Sequence, residues 1–250
     1  MSKIIIYSAL FAEDDISIED VGSFCEKTQD YENVEFVAFT NRKEIKSKKW
    51  NIEYVKIKES SARLNARYYK MNPELVLPNH DFSIWMDSQF YITRDPKEII
   101  NERLIQAQAS IAIHHHGDIN NLAREAVSQA FVYKNDNPKI CMDQLVEYYE
   151  KGFPVLGYEH FETGVLMRIN NNRSKEFNKI WWENIKKYSL RDQISCPYVV
   201  WQFRKKYKNS INTIAESFVA HNHTLNIPKS KDFFTTPKPP LREDINKRNY

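Results

Sequence analysis

The chain has 250 residues, 42% hydrophobic and 28% charged, ordinary proportions for a globular protein with a sizeable core. A net charge of +3 falls short of the basic surplus expected of a nucleic-acid binder. Its five glycines form neither a G-x-G-x-x-G turn nor a Walker loop, which removes the usual dinucleotide and P-loop readings.

Residues 3–10 (KIIIYSAL) are β-branched and continuous, and predict a buried strand followed by the acidic loop FAEDD. A short helix is expected around residues 20–27 and a second strand over VEFVAFT, residues 34–40. A basic linker leads to a third strand at residues 50–58. Residues 60–71 read as a helix, with Pro73 and Pro78 beyond its exit. Residues 82–92 read as one strand, 96–107 as a helix and 109–114 as a strand. Two helices are expected near 119–131 and 142–151, and a short strand over 165–169. Residues 174–188 form an amphipathic helix, and 191–207 another, bent if anywhere at Pro197. The tail from Pro228, with four prolines, predicts a wrapping or disordered segment.

Strands alternating with helices imply an α/β fold with a mostly parallel sheet, helices on both faces and a helix-rich second half. The domain expected is one unit over residues 1–227, with halves at about 1–117 and 118–227, and a tail at 228–250. Cys25, Cys141 and Cys196 show neither zinc nor disulfide spacing, and a reducing compartment is the simpler inference. No apolar stretch nears the roughly 20 residues of a membrane helix. Met1 leads straight into the first strand without a signal-peptide pattern. A cytosolic, soluble protein is therefore expected.

In such sheets ligands bind beyond the carboxyl ends of the strands. Asp87, closing FSIWMD, stands at such an end. It suits a turn or helix cap, and equally a hard divalent ion that also holds a diphosphate. Arg63, Arg67 and Lys70 share one face of the preceding helix, either as a solvated basic face or as phosphate ligands.

The stretch SARLNARYYKMNPELVLPNHDFSIWMDSQFYI resembles the core of GT-A glycosyltransferases, in which a basic helix and a hydrophobic strand lead into a D-x-D motif. More narrowly, the chain resembles the plant mucilage-type glycosyltransferase-like family. It shares with it the first strand, FVAFTNRKEIKSKKW from Phe36, SIWMDSQ, IAIHHHGDINNLAREA and RDQISCPYVVWQ from Arg191. The resemblance runs from about Lys3 to Trp201 and implies a GT-A-like fold. It also implies transfer of a sugar from a nucleoside-diphosphate donor, UDP-linked, to a glycan or lipid-linked acceptor.

On that resemblance the donor would contact Ser8, Ala9, Leu10, Thr40, Asn41, Arg63, Arg67, Lys70, Asp87, Ser88, His114 and Lys229. Mn²⁺ or Mg²⁺ would lie on Asp87, with Gln89 and a late histidine, His221 or His223, as further ligands. Asn41 replaces an aspartate of the family pattern, and Gln89 replaces the second carboxylate of D-x-D, so weaker metal binding or metal independence is open. His221 and His223, at i and i+2, share a face if extended. His114, His115 and His116 alternate faces and cannot converge on one ion. They are loop histidines, or one of them touches the sugar or acceptor.

For the acceptor, Asp192 is the first candidate as base or as a group orienting the donor sugar; its plain alternative is a helix-start aspartate. Glu162, two residues before Gly164, is the second, and Glu125, beside Arg124, a third. Of Trp181 and Trp182, about 100° apart on a helix, one is core and the other a sugar platform or a second buried ring. The partners implied are a nucleotide-sugar and an acceptor, without nucleic acid or a transmembrane segment. The implied setting is bacterial or viral polysaccharide biosynthesis at the inner face of a membrane, with peripheral lipid contact by the tail. The rival readings are a non-catalytic sugar-binding module of the same fold and a metal-dependent phosphohydrolase.

Overall fold

The computed structural model describes residues 2–13, 16, 22–117, 121–134 and 136–222. Its centre is a seven-stranded sheet. Strands β1 (Ile4–Leu10), β2 (Val34–Thr40), β3 (Asn51–Tyr54) and β4 (Phe82–Met86) run parallel, in the order β3-β2-β1-β4. The sheet continues through β7 (Phe161–Ile169), β6 (Ile111–His115) and β8 (Ile211–Ile214). β7 runs antiparallel to both β4 and β6, while β6 and β8 are parallel. The mostly parallel sheet is borne out, and it is built from both halves of the chain.

Continuous apolar runs explain the inner strands. Ile5, Ile6, Tyr7, Ile84 and Ile113 are fully buried, as expected of strands covered on both faces. Tyr7, Trp85 and Leu166 face one core with Phe177, Trp181 and Val200. Ile6, Ile84 and Met167 face the other with Ile99 and Leu104. Helix α1 (Ala62–Met71) starts at Ser61, whose hydroxyl accepts the Leu64 N–H at 3.1 Å. A one-turn helix α2 (Pro73–Val76) follows. α3 (Pro96–Ile100) is capped by Asp95 and runs on as a π-helix, Asn101–Gln106.

α4 (Leu122–Val127), also extended by a π-turn, precedes α5 (Pro138–Glu150). α6 (Asn172–Lys187) and α7 (Asp192–Lys206) cover the first core, and α7 continues through Pro197. Trp181 and Trp182 are both buried, so neither is an exposed sugar platform.

Three expectations need correction. The described part of the helix expected at 20–27, residues 22–27, is irregular. There Cys25 donates its N–H to Ser88 O at 2.8 Å, and its own carbonyl accepts the Trp50 indole at 2.8 Å. The third strand is shorter than expected because its residues are largely exposed and bury no continuous face. The single strand expected over 82–92 breaks at residues 87–89. β4 stays in the main sheet, whereas β5 (Phe90–Ile92) leaves it to pair antiparallel with β9 (Val219–His221). β8 and β9 were not anticipated. The tail, His223 and Lys229 lie outside the described residues. Among the described residues no helix is long and apolar enough to cross a membrane.

Candidate active site

The break after Met86 is what makes a site. Asp87 leaves the sheet with its N–H donating to Gly164 O at 2.9 Å, and its carboxylate Oδ1 accepts the Trp85 indole N–H at 2.8 Å. The other oxygen, Oδ2, lies above Gly164. A methyl group there would come within 3.4 Å of Oδ2 and 2.8 Å of Phe90 Cε2. Between Ile113 and His114 the β6–β7 register slips, from Ile113↔Leu166 to His114↔Glu162. Thr163 and Gly164 therefore stand out of regular β6–β7 pairing, beside the residue that ends β4. A cavity of about 570 Å³ opens here, with Asp87, Gln89, Glu162, Gly164, Arg191 and Gln193 in its wall.

The β5–β9 ribbon closes this loop from outside. His221 pairs with Phe90, its ring 5.5 Å away, and Asn222 donates its N–H to Gln89 O at 2.8 Å. The ribbon thus brings a late histidine to the Asp87–Gln89 loop. Among the described residues no three His, Cys, Asp or Glu side chains converge to hold a metal.

A buried ionic knot is built into the cavity wall, to which Asp192, Arg67 and Thr163 all contribute. Asp192, the first residue of α7, ion-pairs with Lys70 and with Arg67 at 3.1 Å, and accepts the Thr163 hydroxyl at 2.9 Å. Burial alone would raise its pKa, but Arg67 and Lys70 outweigh it and hold the carboxylate well below its usual range. The Lys70 ammonium is fully enclosed, 5.6 Å from the Trp85 ring centroid. The three cations of α1 therefore do not form a solvated basic face. Arg67 reaches the cavity wall, Lys70 acts from below it, and Arg63 is absent from the lining.

Asn41 spends its amide on the loop after β1, accepting from Ala12 N at 3.1 Å and donating to Ala12 O at 2.8 Å. Thr40 is buried and accepts the Arg42 N–H, and Ser8 is buried within β1. Ala9, Leu10 and Ser88 do not line the cavity. His114, buried against Phe218, is pushed down to about 4 by burial; His115 and His116 also line the cavity, and only His115 is exposed. His160 is fully buried beside His116, with rings 5.6 Å apart, and burial pushes it down to about 3. Glu162 is exposed on the cavity wall.

Sequence reasoning passed over Arg191 as a site residue and left Glu125 as a surface or acceptor-side acid. The structure buries Glu125 and pairs it with Arg191 at 3.2 Å, a contact across 66 residues with no trace in local spacing.

Residues 1–221 match the family model described as TOD1/MUCI70, glycosyltransferase-like domain. The chain is 26% identical over 211 residues to the Arabidopsis thaliana protein named "Probable hexosyltransferase MUCI70", covering 77% of this chain and 36% of that protein. It is 23% identical over 160 residues to "Alkaline ceramidase TOD1" of the same plant, covering 60% and 35%. It thus spans little more than a third of the length of these relatives. Among solved structures, apo mouse xyloside xylosyltransferase 1 aligns with a TM-score of 0.47 at 7% identity, over 85% of this chain and 84% of that one. The apo WbbM bifunctional glycosyltransferase gives 0.46 at 11% identity, over 85% and 38%.

Proposed function

The chain belongs to the TOD1/MUCI70 glycosyltransferase-like family, and on that premise we propose that its cleft moves a hexose or related sugar from a UDP-linked donor to a glycan or lipid-linked acceptor. The observation that carries this reading is the placement of Asp87. It is a carboxylate at the carboxyl end of a central strand, aimed by Trp85, beside a glycine whose missing side chain keeps its second oxygen clear.

A hard divalent ion, Mn²⁺ or Mg²⁺, would sit at this carboxylate. Asp87 would hold it, with the Gln89 amide oxygen and His221 on the adjoining ribbon as further donors. Such an ion keeps positions for water and diphosphate oxygens and, when bound, neutralises charge on a departing nucleoside diphosphate. The chain's own residues do the rest. Arg67 adds a cation at the cavity wall, and Lys70 adds one from below.

Of the three acids expected on the acceptor side, Glu162 suits the base. Its carboxylate is exposed on the cavity wall, where an acceptor hydroxyl could reach it. Asp192, ionised and tied to two cations, is a poor proton acceptor and serves as the anchor that holds them.

Calorimetric titration of UDP, with GDP as comparison, tests the reading with and without Mn²⁺ on wild type and Asp87→Asn. Manganese-dependent UDP binding that the variant loses supports it. Absence of nucleotide binding under every condition refutes it. The relative named as a ceramidase makes hydrolysis the competing activity, so the donor-sugar screen that follows should score release of free sugar or fatty acid beside transfer.

A further inference from the structure

Two guanidinium groups line the cavity, those of Arg67 and Arg191. Each is tied by a buried carboxylate, and one of these, Asp192, belongs to the cavity lining itself. Arg67 Nη2 lies 3.1 Å from Asp192 Oδ1, and Arg191 Nε donates to Glu125 Oε1 at 3.2 Å. The side chains of Asp192 and Glu125 are 2% and 3% exposed, whereas those of Arg67 and Arg191 keep 16% and 30%. A guanidinium carries five N–H donors in a fixed fork, so one backing carboxylate sets its direction without exhausting it.

Arg191 is steadied further. Its backbone N–H donates to Ser189 Oγ at 3.0 Å, and the Ser189 hydroxyl donates to Asp136 at 2.5 Å. Buried carboxylates are costly, and buried ion pairs give little net stability in return. What this arrangement secures is orientation, with two forks held at the wall of one cavity. Around it, four cations (Arg63, Arg67, Lys70 and Arg191) stand among five carboxylates (Asp87, Glu125, Asp136, Glu162 and Asp192), so a phosphate would be met by the two forks and not by a net positive charge.

From this geometry we infer that Arg67 and Arg191 form a two-armed clamp for a diphosphate, with Glu125 and Asp192 as the positioning residues that hold the arms. The inference rests on the donor reading above and assigns the diphosphate contact to one member of the α1 trio, Arg67, together with Arg191 from outside it. Planar forks recognise phosphate oxygens two at a time. Lys70 is too enclosed to take part directly, and Arg63 stands outside the cavity lining.

The probes are inorganic pyrophosphate and UDP, each titrated calorimetrically in the presence of Mg²⁺ against wild type, Arg191→Gln, Arg191→Lys and Glu125→Gln. Melting temperatures are recorded alongside. Hydrogen bonds to charged groups predict that Arg191→Gln weakens pyrophosphate and UDP by about 10- to 100-fold. Arg191→Lys, which keeps the charge but not the fork, should recover part of that loss. Glu125→Gln should weaken binding by roughly 3- to 10-fold with the arginine still present.

Equal pyrophosphate affinity in wild type and Arg191→Gln overturns the clamp. So does a loss in Arg191→Gln that Arg191→Lys does not reduce at all. Arginine-dependent pyrophosphate binding without any UDP binding upholds the clamp and sinks the nucleotide-donor reading. UDP binding that is indifferent to Arg191 sinks the clamp alone.

Discussion

Replacing Asp192 by asparagine removes the negative charge from between two cations while keeping the side-chain volume and a carbonyl for the Thr163 hydroxyl. Lys70 would suffer most. Its side chain is 1% exposed against 16% for Arg67, so the ammonium cannot swing out to water whereas the guanidinium can turn toward the cavity. Removing one partner of a buried pair costs about 3–5 kcal/mol. In a chain of this size each kcal/mol moves the melting temperature by about 2–4 °C. The expected fall is therefore roughly 6–20 °C, measured by calorimetry at pH 7.

Adding Lys70→Met removes the stranded charge and should recover at least half of that loss, since buried pairs replaced by apolar groups are often neutral. The sign of the pH dependence follows from the lowered pKa of Asp192. Its contribution is complete above the unfolded-chain value of about 3.9 and drains away as pH falls toward the lower folded value. Asp192→Asn should therefore flatten the acid limb of the stability curve. A single variant melting within about 2 °C of wild type, or a double variant no better than the single, would refute the reasoning.

Gly164→Ala places a methyl 2.8 Å from Phe90 Cε2 and 3.4 Å from Asp87 Oδ2; overpacking of this kind costs about 1–3 kcal/mol, and metal-dependent UDP affinity should fall with the melting temperature. Asn41→Asp sets a carboxylate against the Ala12 carbonyl that now receives the amide N–H. It should cost about 1–3 kcal/mol in urea unfolding, whereas a stability equal to wild type would show the clasp to be dispensable. The lowered values of His114, about 4, and His160, about 3, mean that the unfolded chain binds more protons below about pH 6.5. Stability should thus decline from pH 6.5 toward those values, and His160→Phe should make the decline shallower in a melting-temperature series.

The inner strands were legible because β1, β2 and β4 are covered on both faces and so are written as unbroken apolar runs. β7 was legible only from Val165 onward. Residues Glu162 to Gly164, after the buried Phe161, look like loop because they line the cavity. β8 and β9 are four and three residues long, below the length at which alternation carries a signal. Asp87 could be singled out because a charge ending an apolar strand is locally visible. The ties that shape its surroundings could not. Lys70 meets Asp192 across 122 residues, and no local periodicity encodes such a pairing. The same distance hid the fate of the α1 trio, whose helical spacing gave its shared face correctly but not what would cover it.

The pairing of β5 with β9 also fixes when, during biosynthesis, the cleft can be completed. Residues 90–92 leave the ribosome long before residues 219–221, which supply their hydrogen-bonding partner. At translation speeds of about 5–20 residues per second the wait is on the order of 10 s. Throughout it, Phe90–Ile92 is an open edge, free to recruit a neighbouring nascent chain. The Asp87–Gln89 loop is likewise without the strand that closes it. The cleft can thus close only once Val219–His221 have been made, and a chain stalled before Val219 would carry a nearly finished sheet with an open cleft.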